Sequence, residues 1–396
     1  MFKIQKCIQN LRLKISLKSD IILLRQKSND FDEGYVDMNC YRTAAFVIAV
    51  AVMASVFSGC SQVGESIVST SNTTVSDTSQ TEVTVMPEYI AEYTLSNENA
   101  DEITQIAASE IESEQEEISM QHYEKIMTEL PPEGIFDLQD GVIYPDFQKY
   151  TYYSQTAERE SRVNVLLPPD YSEDKEYPVL YVLHGYYDNE DWMARDIVGM
   201  SKMLSNLYAS GEAQEMIVVC PYIFVSKELA WCTGMNLTNS LCYDNFINDL
   251  TTDVMPFIES TFSVAKGREN TAITGFSMGG RESLFIGFQY PELFGYIGAV
   301  APAPGLTPVP GSADHPGQMQ AEEMIFENNA PYLLLISCSN SDGVVGTYPK
   351  SYHKTLTINE TEHIWNEIPG TGHDHTSVKP HLYNFCRMIF RSPLKN

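Results

Sequence analysis

The sequence predicts an α/β fold, a mostly parallel central sheet with helices on both faces, from three observations. Short apolar runs at 163–167, 179–183, 216–220, 272–274, 297–300 and 332–337 are rich in β-branched and aromatic residues. Several are continuous rather than alternating, as expected of strands buried on both faces. Segments with a helical repeat lie between them, so strand and helix alternate along the chain.

Taken in order, 163–167, 179–183 and 216–220 give three strands. In 243–262, Phe246, Leu250, Val254, Phe257 and Ile258 return at three- or four-residue steps, the apolar face of a helix. A strand at 272–274 runs into a helix over 279–289. Strands at 297–300, 332–337 and 364–368 follow, and a helix over 380–391 closes the pattern. In such sheets ligands bind beyond the carboxyl ends of the strands. Functional residues are therefore expected just after strand ends.

The chain has 396 residues and a formal charge of −28, from 25 Lys+Arg against 53 Asp+Glu. So negative a balance excludes a nucleic-acid partner, whose phosphates are held by Lys and Arg. It also excludes adhesion to anionic lipid through protein charge. An aromatic content of 11% is too high for a chain disordered throughout.

The charge divides the chain. Residues 1–59 carry eight Lys/Arg against five Asp/Glu, residues 61–130 one against fifteen, and residues 131–396 sixteen against thirty-three. In the first stretch, Arg42 precedes an apolar run over 44–54, and small residues follow at Ser58-Gly59-Cys60. That is the order of a secretory signal, and the run is shorter than the roughly 20 residues that cross a bilayer. Phe57-Ser58-Gly59-Cys60 resembles the lipobox of bacterial lipoproteins, with Phe57 where that family prefers Leu. The resemblance implies cleavage before Cys60, lipidation of Cys60, and a location on the extracellular side of a bacterial membrane, held by lipid. The alternatives are an ordinary signal cut nearby or a buried apolar helix.

Four segments are expected: 1–37 an upstream extension, 38–59 the signal peptide, 60–130 a tether and 131–396 the folded domain. Met38 is the expected start, and a longer charged region before the signal is the alternative. The tether is Ser/Thr-rich from 61 to about 84 and acidic beyond, a flexible composition.

Behind the strand at 272–274 comes Gly275-Phe276-Ser277-Met278-Gly279-Gly280, then a helix. This is G-x-S-x-G in its required setting of strand, sharp turn and helix. It makes Ser277 a candidate nucleophile, with an ordinary turn serine as the bland alternative. The amide of Met278 is placed to meet an oxyanion. A serine needs a base, and the base an orienting carboxylate. Asp342 lies behind the strand at 332–337, and His373 behind that at 364–368. Asp342 has a plainer reading as a turn former beside Gly343. His375 and His381 rival His373, which has the small neighbours Gly370 and Gly372. No Cys or third His follows the 373–375 cluster at ligand spacing, so no metal is expected. The amide of Tyr186, after the strand ending at Leu183, is the candidate second oxyanion donor. His184 reads as a structural histidine shaping that loop. Tyr187, Trp192 and Trp231 are candidates for stacking on a sugar or phenolic ring, each with packing as its alternative.

These motifs resemble a family. His184-Gly185, the Gly275–Gly280 turn, Asp342 and Gly372-His373-Asp374 with Lys379-Pro380 look like the esterase D group of α/β-hydrolases. The likeness is nearest to the feruloyl and acetyl-xylan esterases of carbohydrate esterase family 1. Tyr243-Asp244-Asn245-Phe246, Ile258-Glu259-Ser260 and Phe262-Ser263-Val264 also match that family before its nucleophile turn. The resemblance covers about 163–390. It implies an α/β-hydrolase fold, the chain order Ser…Asp…His, an acyl-enzyme mechanism without cofactor, and feruloyl or acetyl esters on plant polysaccharide as substrates. His375 departs from the family, which carries an aromatic there. Siderophore esterases and mycolyl-type transferases share the superfamily. The alternative from another class is a non-catalytic glycan-binding surface lipoprotein.

Of eight cysteines, Cys220, Cys232, Cys242, Cys338 and Cys386 remain if Cys7 and Cys40 are cleaved away and Cys60 is lipidated. Cys220 and Cys338 read as small apolar core residues. Cys232 and Cys242 bracket one loop and are candidates to pair.

Overall fold

A computed structural model describes residues 123–391. Its centre is an eight-stranded sheet in the order β1-β2-β4-β3-β5-β6-β7-β8. The strands are β1 (Gln148–Ser154), β2 (Arg159–Leu166), β3 (Val179–Leu183), β4 (Ile217–Pro221), β5 (Thr271–Gly275), β6 (Tyr296–Val300), β7 (Leu333–Ser339) and β8 (Ile364–Ile368). The pairs β1–β2 and β2–β4 are antiparallel, and every pairing from β4 to β8 is parallel.

Alternate side chains of a strand face opposite ways, and both faces are covered. Val179, Tyr181 and Leu183 of β3 join one apolar cluster with Ile217, Val219, Ile273 and Ile336. Leu180 and Val182 join another with Val218, Ala272, Val300 and Leu335. This two-sided burial is why these strands read as unbroken apolar runs.

The helices are α1 (Asp191–Ala194), α2 (Met200–Ala209), α3 (Leu237–Asp244), α4 (Phe246–Asp249), α5 (Met255–Thr261), α6 (Met278–Gln289), α7 (Tyr348–Ile358) and α8 (His375–Met388). The single helix expected over 243–262 is instead α4, a π-helical turn (Leu250–Val254) and α5, preceded by α3. Two buried acids accompany the irregular turn. Asp249 accepts hydrogen bonds from Tyr152 Oη (2.6 Å) and from Ser154 Oγ, and Asp253 accepts one from Thr156 Oγ1 (2.9 Å). They pin the β1–β2 turn to this helical run. The last helix starts at His375, not at Pro380, because Asp374 caps it by accepting the Thr376 amide at 2.7 Å.

The folded domain begins before residue 131, which corrects the expected boundary. Tyr123 is buried, and Ile126 and Met127 pack against the second cluster. The Asn384 side chain bonds Thr128 N (3.0 Å) and Thr128 O (2.7 Å), and Arg387 Nη1 donates to Ile126 O (2.8 Å). These contacts satisfy a backbone that carries no regular apolar repeat, so the segment escaped a pattern search. The upstream extension, the signal peptide, Cys60 and most of the tether lie outside the described residues.

Candidate active site

The carboxyl ends of β3, β5, β7 and β8 supply the site. At the end of β5, Ser277 has φ 56° and ψ −113°, a left-handed conformation that a serine adopts only under constraint. Two hydrogen bonds impose it: Phe276 N donates to Leu183 O and Ser277 N to Val300 O, each at 3.0 Å, tying the turn to β3 and β6. The glycines on either side are sterically required. A Cβ on Gly279 would stand 2.4 Å from Leu183 O, and one on Gly275 2.4 Å from the Gly279 carbonyl. Ser277 is thereby held at the head of α6.

The candidate base reaches Ser277, and the candidate orienting carboxylate reaches the base, from neighbouring loops. His373 Nε2 lies 2.9 Å from Ser277 Oγ, and His373 Nδ1 lies 2.7 Å from Asp342 Oδ2. The other carboxylate oxygen, Asp342 Oδ1, accepts the amides of Val344 (2.9 Å) and Val345 (3.1 Å). Burial by itself would raise the Asp342 carboxyl. The hydrogen bond and charge of His373, with the two amides, outweigh it and hold Asp342 below the usual carboxylate range. An ionised Asp342 fixes the proton on Nδ1, leaving Nε2 to accept from the serine.

The two loops are fastened together: Asn340 Oδ1 accepts Gly370 N (3.1 Å), and Ser339 Oγ donates to Thr371 O. Behind the imidazole, Phe276 packs with ring centroids 4.5 Å apart, and Trp192 stacks on Phe276 at 5.1 Å and 7°. Trp192 thus backs the base, which is the packing role among its alternatives. Neither rival histidine occupies the base position. His375 sits in the first turn of α8 beside Asp374. His381 is buried between Thr274 Oγ1 and Ser337 Oγ, both at 2.8 Å, and burial pushes its imidazole down to about 3.

The amides of Met278 and Tyr186 make no hydrogen bond among the described residues, whereas those around them are engaged. Tyr187 N donates to Tyr243 Oη (3.1 Å), Asp188 N to Gly185 O (3.3 Å) and Gly279 N to Phe276 O (2.9 Å). Both unengaged amides flank the nucleophile turn, since a Cβ on Gly185 would stand 3.5 Å from Ser277 Cβ. His184 shapes this loop. Its Nε2 accepts Ile223 N at 3.1 Å, so its Nδ1 carries the proton and donates to Gly185 O at 2.8 Å. Complete burial pushes it down to about 4, which keeps it neutral. The roles of Tyr243 and Asn340 are not legible in the sequence, because both act through partners that the chain meets only in three dimensions.

Tyr187 and Trp231 are exposed, at 57% and 68%. The segment carrying Trp231 joins the 184–188 loop through Tyr186 Oη, which donates to Gly234 O at 3.0 Å. Cys232 and Cys242 do not pair: both are free thiols, Cys242 Sγ donating to Thr238 O at 3.2 Å.

Parallel sheet, strained nucleophile turn and hydrogen-bonded Ser–His–Asp line define a serine hydrolase of the α/β-hydrolase fold. The chain belongs to the CE1 esterases. It is 43% identical to a CE1 ferulic acid esterase from Anaeromyces mucronatus, solved in complex with ferulic acid, with a TM-score of 0.64. That match covers 67% of this chain and 98% of the fungal one. The Esterase family model matches residues 154–346. The feruloyl esterase module from Clostridium thermocellum, complexed with sinapinate, shares the fold at 17% identity and a TM-score of 0.53, covering 68% of this chain and 95% of the module. An endo-1,4-beta-xylanase/feruloyl esterase from Xylanibacter ruminicola is 29% identical over 175 residues, 43% of this chain. This chain spans only 23% of the length of that relative.

Proposed function

We propose that this serine esterase removes feruloyl or acetyl groups from plant polysaccharide through an acyl-enzyme. One observation carries the reading: the Ser277–His373–Asp342 line stands in a chain 43% identical to a ferulic acid esterase solved with its acid. Ser277 Oγ attacks the ester carbonyl while His373 Nε2 takes its proton. The carbonyl oxygen, now anionic, is held by the amides of Met278 and Tyr186. Collapse expels the sugar alkoxide, which receives the proton from His373. Water, activated by the same nitrogen, then releases the acid and restores the serine. No step needs a cofactor. Tyr187 and Trp231 offer exposed rings on which a sugar or phenol can stack.

The full chain should release ferulate from feruloylated arabinoxylan and hydrolyse methyl ferulate and nitrophenyl acetate. Failure on all three would leave a glycan-binding protein. Faster turnover of a ferric catecholate ester than of arabinoxylan would favour a siderophore esterase instead.

The proposed location is the outer side of a bacterial membrane, with Cys60 lipidated. The charged, apolar and small-residue order over 42–60 supports it. Expressed in a bacterial host, the chain should fractionate with membranes, and Cys60→Ser should move it to the soluble fraction. Equal partition of both would refute the anchor.

A further inference from the structure

A carboxylate that the acyl-enzyme chemistry does not use lies beside the nucleophile. The Asp188 amide donates to Gly185 O at 3.3 Å, closing a turn that folds the Asp188 side chain back over Gly185. Around the point where a Cβ on Gly185 would stand, Asp188 Oδ2 is 3.2 Å away, Phe276 Cδ1 3.3 Å and Ser277 Cβ 3.5 Å. The carboxylate, the nucleophile and the ring that backs the base thus meet over one glycine. A larger residue at 185 would push the carboxylate out of this position.

Asp188 is half-buried, and its side chain makes no hydrogen bond or ion pair among the described residues. Burial raises its acid, while the charges of Arg195 and His373 act the other way. A half-desolvated carboxylate without a donor is costly unless a ligand brings one. The other buried acids of this domain have such donors, Asp249 from Tyr152 and Ser154, Asp342 from His373 and two amides.

We propose that Asp188 determines specificity for the alcohol half of the ester, its carboxylate accepting hydrogen bonds from the free hydroxyls of a sugar. The inference rests on the esterase reading above. The side of the site follows from the chemistry. His373 must hand its proton to the departing oxygen, so the leaving group lies against His373, whose ring packs on Phe276, the same ring that meets Asp188 over Gly185. The carbonyl oxygen is turned towards the amides of Tyr186 and Met278. A sugar whose neighbouring hydroxyls flank the esterified oxygen presents donors where Asp188 has none, whereas a methyl ester presents nothing.

The test compares kcat/KM of the full chain, Asp188→Asn and Asp188→Ala on feruloyl arabinose, methyl ferulate and methyl cinnamate. The ratio of feruloyl arabinose to methyl ferulate is expected to fall about tenfold in Asp188→Asn and further in Asp188→Ala, mainly through KM, as for a lost charge-assisted hydrogen bond. Continued turnover of methyl ferulate shows that the variants fold. Equal losses on all three substrates would overturn the proposal and make Asp188 a support of the triad. A selective change in the ratio of methyl ferulate to methyl cinnamate would overturn it differently, assigning the carboxylate to the phenolic hydroxyl. Wild-type protein inactive on all three would sink the esterase reading itself.

Discussion

Asp342→Asn is expected to lower kcat on methyl ferulate by about three to four orders of magnitude, and to be no milder than Asp342→Ala. The reason lies in the two faces of this carboxylate. Oδ1 accepts two backbone amides, Val344 and Val345, and Oδ2 faces His373 Nδ1. An asparagine in this place has one acceptor and one donor group. Two amide donors on one side select the oxygen there, which turns the NH2 towards His373. Nδ1 must then accept, the imidazole proton moves to Nε2, and the nitrogen facing Ser277 can no longer take a proton. Alanine leaves the tautomer free, so part of the imidazole stays competent. Steady-state kinetics of the two variants, with circular dichroism to establish folding, decides the matter. An asparagine variant clearly faster than the alanine variant would mean that Asp342 acts through charge alone, without fixing the tautomer.

The parts of this site that were legible in the sequence are those whose geometry is local. Ser277 announces itself because the turn that strains it needs glycine two residues to either side, where a Cβ would strike backbone. Asp342 and His373 were found because β7 and β8 end just before them. The helix pattern over 243–262 was legible as an apolar face, but its break into α4, a π turn and α5 was not. That break coincides with Asp249 and Asp253, which bond residues about 95 positions away. Strand β1 was missed because as an edge strand it buries only Tyr152 and Ser154. Helix α7 was missed for a similar reason, burying only Pro349, Tyr352 and Leu356 among polar neighbours. The loop carrying Tyr186 follows the end of β3 and lies beside Ser277. His184 is legible as shaping it, but the Ile223 amide that fixes its tautomer and the Tyr243 hydroxyl that holds the Tyr187 amide come from 39 and 56 positions away.

Ser277→Ala is expected to reduce kcat on methyl ferulate by about five orders of magnitude or more, and a second change at His373 should add little, since the pair acts as one unit. Ser277→Gly gives the sharper experiment. With φ at 56° and ψ at −113°, residue 277 occupies backbone space natural to glycine and costly for any side chain. Strain of this kind is worth on the order of 1–3 kcal/mol, and the extra freedom of glycine in the unfolded chain returns roughly 0.5–1 kcal/mol of that. Ser277→Gly should therefore be inactive yet melt above wild type, with Ser277→Ala inactive and not stabilised. A serine kept where it costs stability, in a turn that glycine would relax, is held for its hydroxyl. Thermal unfolding and turnover, measured on the same three preparations, test both halves. Retained activity in Ser277→Gly would mean that the nucleophile has to be sought elsewhere, whereas an inactive variant that melted below wild type would show that the turn is not strained at residue 277.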